Sequence, residues 1–348
     1  MMKHRRIALM LIICILAAAV CACAAVPEAL IIDAANVPET QPTLTLTPTL
    51  QPTPAAIPTP MMTPIKTTQP DGPQQPDEGA APTATPEKAD EPHGPGTVRI
   101  RPGDTINSDI IPQLIDVFAM DRRDVEDALE DCRDSKLIND DLKDFRRMEG
   151  VIPPGTYAIG ENEALEYYVN QWIDQAETRY DAIAAASSDP NDLEPHEQLA
   201  LAAIVEWECL PNNMYDEIAA AVLNRVNDGS KIRSCVTTEY ALGYMRPYTT
   251  SSDIKVESQY NTYYIRGVPI GPICVVEDGP LRATVAKSSD TSLYYFFNDY
   301  ARREMLVFSS YDDFKAAAAI SRDLFDETFD IDPYAIVEDK KSLFGYPQ

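Results

Sequence analysis

The sequence predicts an α+β fold carried at the end of a long arm that cannot fold. Three observations lead there. Fifteen of the 29 prolines fall between residues 38 and 95, so that stretch lacks the material for a packed core. From residue 97 onward, short alternating segments beside turn signals enclose helical patterns, with strands and helices grouped rather than strictly alternating. Further on, a helix apolar nearly all round ends in carboxylates, and Gly-, Pro- and Tyr-rich loops with short strands follow it.

The chain of 348 residues opens with Lys3, Arg5 and Arg6 ahead of an apolar run over 7–26. A basic start before a long apolar stretch reads as an export signal. Two readings stay open. Left uncleaved, the run is long enough to span a bilayer. Alternatively, Val20-Cys21-Ala22-Cys23 resembles a bacterial lipobox, with a small residue ahead of a cysteine that becomes acylated; Cys23 fits better than Cys21 because Ala22 precedes it. Either anchor ties residues 1–23 to the membrane and leaves the rest outside, on its outer face. Residues 24–96 then form a Pro/Thr-rich tether, extended at ~3.1 Å per residue where polyproline II prevails.

Residues 97–101 alternate like a strand and stop at Pro102-Gly103. Helical patterns cover about 108–119 and 122–133, the second with Asp121 and Asp124 as polar capping candidates. Residues 148–160 read as a strand, a Pro-Pro-Gly turn and a second strand. A helix over 163–186 puts Leu165, Tyr168, Val169, Trp172 and Ile173 on one face. Asp189-Pro190-Asn191 then breaks the chain, which divides the foldable part into 97–190 and 191–330, with 331–348 as a tail. In the second part, helices over 195–209 and 215–228 are expected, the latter stopped by Gly229. Loops and short strands fill 244–300, and an amphipathic helix closes the unit over 311–328.

Composition excludes several functions. The formal charge is −26, and three units more negative once the basic leader is removed. Nucleic acid, whose phosphates need Lys and Arg, is a poor partner for such a surface, as are acidic lipids. Only three histidines and no C-x-x-C spacing argue against a zinc site. Cys132, Cys209, Cys235 and Cys274 follow the leader, and no disulfide pairing can be read from their positions.

Chemistry concentrates at the end of the apolar helix. Glu206 follows an unbroken apolar run over 199–205, so its carboxyl is expected to be partly desolvated. Desolvation favours the neutral acid, the form a glycosidic general acid needs near neutral pH. Glu208 is the natural second carboxylate, but residues two apart do not share a helix face. The local sequence therefore offers one carboxylate to a cleft, not the flanking pair of an ordinary glycoside hydrolase. A lone acid/base suffices if the nucleophile is internal.

Several segments carry a resemblance. MEGVIPPGTY (148–157) is similar to a family segment of the form LEGYLFPDTY, AAIVEWE (202–208) to ASIVEKE, and VLNRV (222–226) to an NRL helix. QYNTY (259–263), GVPIGPIC (267–274) and SLYYFFND (292–299) are similar to YNTY, GLPPGPIC and YLYFVAD. The chain thus resembles the YceG/MltG family of endolytic murein transglycosylases over about 170 residues. The resemblance implies a LysM-like N-terminal subdomain in 97–190 and a mixed α/β catalytic domain built on a buried, glutamate-bearing helix in 191–330. It implies Glu206 as the catalytic acid/base, with Asn261, Thr262, Tyr263, Gly271, Pro272 and Thr237 shaping the substrate cleft. The implied reaction cuts the MurNAc-β1,4-GlcNAc bond, with the sugar's own 6-hydroxyl as nucleophile, and leaves 1,6-anhydro ends without metal or organic cofactor. Implied partners are peptidoglycan strands and the cell-wall synthesis machinery, penicillin-binding proteins included. The helix AAAVLNRV and its loop also resemble spore-cortex lytic enzymes, which act on the same polymer.

Three departures stand out. Cys235-Val236-Thr237 replaces the family's DPT, Val275-Val276 its NPG, and Leu306 a histidine near Phe308. They motivate a rival reading: a catalytically lapsed, glycan-binding or scaffolding lipoprotein. A stalked adhesin and a two-carboxylate hydrolase are further alternatives; the first has no account of YNTY and GVPIGPI, and the second would release reducing ends.

Overall fold

Two short antiparallel strand pairs bracket the helices of this chain. The computed structural model describes residues 96–160, 163–209 and 213–344. The leader, Cys23 and the tether up to residue 95 lie outside the described residues.

β1 (Thr97–Ile100) pairs antiparallel with β2 (Gly155–Ala158), with Val98 opposite Tyr157. Between them lie a π-helical turn (Ile106–Ile110), α1 (Ile111–Phe118), α2 (Arg122–Glu130) and a 3-10 turn (Phe145–Met148). Asp121 begins α2 as expected, its carboxylate accepting from the Asp124 N–H. The first of the two strands expected over 148–160 is absent. Met148 instead ends the 3-10 turn, which Asp144 caps by accepting from the Arg146 N–H, and Gly150 adopts φ +68°. A left-handed residue followed by two prolines that lack N–H donors cannot sustain a ladder.

α3 (Leu165–Ala186) buries the predicted face, Leu165, Tyr168, Val169, Trp172 and Ile173. α4 (Pro195–Glu208) starts with Pro195 at its first position and a reciprocal Glu194/Glu197 capping box. It lies at the centre of the molecule, with Leu199 to Val205 all buried. α5 (Tyr215–Asn227) follows, and Gly229 ends it with φ +74°. α6 (Cys235–Leu242) leads into the long loops.

Those loops hold a helix that sequence reading missed: α7 (Asp278–Val285), packed on α4 and α5. Its Gly279-Pro280 looks like a loop signal, yet proline is tolerated in a helix's first turn, where its missing N–H has no partner to lose. Thr284 Oγ1 of α7 donates to Gln198 O of α4, and Tyr180 OH of α3 donates to Gln198 Oε1 at 2.6 Å. The hairpin β3 (Tyr295–Asp299) and β4 (Glu304–Phe308) and the long helix α8 (Tyr311–Thr328) come next. The segment read as a tail folds back and ends in α9 (Lys340–Phe344).

One apolar core runs from Val98 to Met305. The N-terminal part is stitched to the rest by paired backbone bonds, Gly103 N–H to Val275 O and Val275 N–H to Asp104 O, both 2.8 Å. A smaller aromatic cluster gathers Tyr248, Tyr300, Phe325 and Phe344. No helix among the described residues is long and apolar enough to cross a membrane.

Candidate active site

α4 delivers two glutamates to two different places. Residues turn by ~100° each along a helix, so Glu206 and Glu208 leave its C-terminal end roughly 200° apart. Both are buried. Glu206 Oε2 accepts the backbone N–H of Glu277, at the start of α7, at 2.9 Å. It also sits beside Tyr215, whose phenol is pushed up to about 12 by burial and by the nearby Glu206 and Glu277 carboxylates.

Glu208 faces the other way, into a cavity of about 90 Å³ that opens to solvent. Its Oε1 accepts from Ser234 Oγ at 2.7 Å. Burial pushes its carboxyl up to about 7, against the opposing effects of the Ser234 hydroxyl and the Lys340 ammonium. The negative end of the α4 dipole acts in the same direction as burial. Burial thus favours the protonated form of a carboxyl that lines a cavity.

Around Glu208 stand Trp207, Arg233, Cys235, Tyr263 and Asn298. Asn298 Nδ2 donates to Glu208 O at 2.9 Å, which leaves its buried Oδ1 without a hydrogen-bond partner among the described residues. A buried acceptor with no partner is costly in a protein. Tyr263 OH lies 3.1 Å from Cys235 Sγ, at the position where the family pattern has the Asp of DPT. Burial raises the Cys235 thiol to about 11, so it is a neutral group and not a thiolate nucleophile.

The other residues implied by resemblance form the frame behind this wall. Asn261 is fully buried and spends both amide hydrogens on Ile254 O and Val256 O, while its oxygen accepts from Thr238 Oγ1 and the Tyr263 N–H. Thr262 Oγ1 and Thr237 Oγ1 lie 2.8 Å apart, and Thr262 Oγ1 accepts from the Ser234 N–H. These three do not line the cavity; they hold Ser234 and Tyr263, which respectively bond Glu208 and face the cavity. Gly271 and Pro272 lie on the opposite flank. A Cβ on Gly271 would come 2.8 Å from Leu142 Cδ1, and Pro272 packs so close to Gly150 that a Cβ there would meet it at 2.6 Å. Their place is the seam with the N-terminal part, not the cavity. Among the described residues, no three His, Cys, Asp or Glu side chains cluster to hold a metal ion.

Sequence reading missed Arg233, Asn298, Tyr300 and Lys340 as cavity residues. Asn298 lies within the SLYYFFND segment and could have been found there; Lys340 carries no local signal.

The geometry defines an α+β protein whose central buried helix ends in two buried carboxyls, Glu206 on the Glu277 N–H and Glu208 in a cavity. The chain belongs to the YceG-like family, whose model matches residues 88–319. Curated relatives named endolytic murein transglycosylase include one from Bacillus subtilis, 25% identical over 149 residues, 42% of this chain and 41% of the relative. One from Streptococcus pneumoniae is 23% identical over 154 residues, 43% of this chain and 28% of the relative. The chain therefore spans less than half the length of these relatives. A crystal structure of a YceG-like protein from Listeria monocytogenes shares the fold, with a TM-score of 0.53 at 21% identity over 63% of this chain and 74% of that one.

Proposed function

We propose that this chain is an endolytic peptidoglycan transglycosylase that cuts the MurNAc-β1,4-GlcNAc bond and leaves 1,6-anhydro-MurNAc ends. The observation that carries this reading is the Glu206 carboxyl, buried at the end of α4 with Oε2 on the N–H of Glu277, a residue that lines an open cleft with Arg99, Pro154, Asp278 and Arg282. Sequence resemblance points to Glu206 as the acid, and its place beside Glu277 supports that; Glu208, in the cavity on the other side of α4, is the alternative. In the proposed reaction Glu206 protonates the glycosidic oxygen, and the C1–O bond breaks as positive charge develops at C1. The resulting carboxylate takes the proton of the C6 hydroxyl, and O6 closes on C1. The proton returns to Glu206, and no water is consumed. By resemblance, Asn261, Thr262, Tyr263, Thr237, Gly271 and Pro272 shape the wall of the cleft. A single acid fits an internal nucleophile better than a two-carboxylate hydrolysis, because Glu208 leaves α4 on a different face.

The β1-α1-α2-β2 unit is read as a LysM-like cradle for the same strand, and residues 1–23 as a membrane anchor, lipidated at Cys23 or spanning. Wall-synthesis enzymes are the expected protein partners.

Mass spectrometry of peptidoglycan treated with the purified full chain tests the reaction. Anhydro ends are expected, and reducing ends would refute the internal nucleophile. A second reading, a lapsed glycan binder, draws on Cys235 standing in the cavity where the family pattern has an aspartate; it predicts retention on sacculi with no new ends.

A further inference from the structure

The cleft beside Glu206 departs in charge from the rest of the chain. The sequence holds 55 acidic residues and 29 lysines and arginines. The cleft, about 650 Å³ and open to solvent, is lined instead by three arginines, Arg99, Arg101 and Arg282, against two acids, Glu277 and Asp278. Elements distant in sequence bring these cations together. Along β1, Val98 and Ile100 turn inward, so Arg99 and Arg101, two residues apart, share the outer side. The start of β2 adds Pro154, Gly155 and Thr156 beside them, and α7 supplies Arg282. The two acids do not cancel the arginines. Asp278 accepts from Arg179 Nε and from Arg282 Nη2, each at 2.7 Å, so one carboxylate answers two guanidiniums. Arg101 is exposed and enters no ion pair among the described residues. With Arg179 added to the three lining arginines, four cations stand against two anions. Guanidinium groups suit carboxylates in particular, because their planar fork matches both oxygens.

We propose that Arg99, Arg101 and Arg282 form a subsite for the carboxylates of the peptide stem, so that the chain selects strands that carry stems over strands stripped of them. This rests on the reading of the Glu206 cleft as the substrate site. The glycan backbone offers these arginines no partner. GlcNAc and MurNAc are N-acetylated and uncharged, and the lactyl carboxyl of MurNAc is consumed in the amide bond to the stem. The anions of the polymer lie on the stem itself: the free α-carboxyl of its γ-linked glutamate and its C-terminal carboxyl. MurNAc is the sugar whose C1 reacts, so its stem branches from the ring nearest the acid. Glu206 bonds the N–H of Glu277, and Glu277 lines the cleft together with the arginines. A stem leaving that ring therefore enters a cleft whose surplus charge is positive.

The test measures binding of the full chain to the disaccharide GlcNAc-MurNAc carrying a tetrapeptide stem. This molecule contains no MurNAc-β1,4-GlcNAc bond, so binding is read without turnover. It is compared with the same molecule after its stem carboxyls are converted to amides, and with the disaccharide freed of its stem, which exposes the lactyl carboxylate. The charged stem should bind at least about tenfold more tightly than the amidated one, and the difference should shrink at high salt. Arg101→Gln combined with Arg282→Gln should remove most of that difference; both side chains are exposed, so the fold should survive. Arg101→Lys with Arg282→Lys should retain part of it. Equal binding of the charged and amidated stems overturns the proposal, as does a preference that the double glutamine variant keeps. Equal affinity for the stemless disaccharide would move the contact to the lactyl carboxylate and overturn the stem assignment. Anhydro ends released by a chain without charge preference would refute this inference alone. A charge preference in a chain that never releases such ends would support it and refute the transglycosylase reading instead.

Discussion

At the residue scale, buried polar groups decide most of what this chain does. Glu149 is a second buried acid, pushed up to about 8 by burial against the Ile106 N–H and Tyr240 OH that its oxygens accept. Its folded proton affinity exceeds the unfolded one, so between pH ~4.5 and about 8 the unfolded chain has lost a proton that the folded chain keeps. Stability should therefore fall as pH rises through that window and level off above it. Thermal melts from pH 5 to 8.5 should show the slope, and Glu149→Gln should flatten the share due to this group, on the order of 3 kcal/mol, leaving that of Glu208. Arg225 is the complementary case. It is 1% exposed, donates to Ile232 O and Tyr294 O, and lies over the Phe296 ring. Arg225→Leu should cost about 3 kcal/mol in chemical denaturation, because two buried carbonyls lose their donor.

The two glutamates of α4 show where sequence reading stops at this scale. Period and composition reveal that α4 is buried and ends in carboxylates. A helix apolar on every side, however, has no face that marks what each carboxyl meets. Glu206 meets the Glu277 N–H at the start of α7, and Glu208 a cavity walled by α6, β3 and α9; those contacts are distant in sequence. The hydrogen bonds of Asn261 and Thr262 to the surrounding frame are likewise invisible in their motif.

At the scale of elements, the helices with strong periodicity were legible, and the short ones were not. α3, α4, α5 and α8 lie within a few residues of expectation, because each has an apolar stripe or an unbroken apolar run. α7 was hidden by Gly279-Pro280, and the strand expected at Met148 by the turn chemistry of Gly150 and two prolines. That turn is also a tight seam. A Cβ on Gly150 would lie 2.6 Å from Pro272 Cβ and 2.7 Å from Cys274 O, at a φ of +68°. Gly150→Ala should therefore cost about 2–4 kcal/mol by thermal or chemical unfolding, from strain and clash together. Trp207→Phe removes a milder link between elements, the indole N–H to Gly103 O at 3.0 Å, and should cost about 1 kcal/mol.

At the scale of the whole molecule, the proline distribution separates reach from chemistry. Residues 24–96 show no hydrophobic period and are expected to take no part in the fold. Removing about 40 of them should leave wall digestion by the purified chain unchanged, while in cells it should draw cutting toward strands nearer the membrane and alter glycan length there. Loss of activity in the purified shortened chain would show that the stretch belongs to the active fold. The C-terminal segment is the opposite case: its composition reads as a tail, yet Phe344 is buried in the aromatic cluster and Lys340 lines the Glu208 cavity.

The central claim is that Glu206 is the acid. The most direct measurement compares anhydro-muropeptide release by the wild type, Glu206→Gln and Glu208→Gln, each shown to be folded by circular dichroism. The amide keeps the shape but cannot donate and recover a proton, so Glu206→Gln should lose at least about 100-fold in rate, whereas Glu208→Gln should keep most of it. Normal release by Glu206→Gln, with loss in Glu208→Gln, would contradict this reading and move the chemistry to the other side of α4.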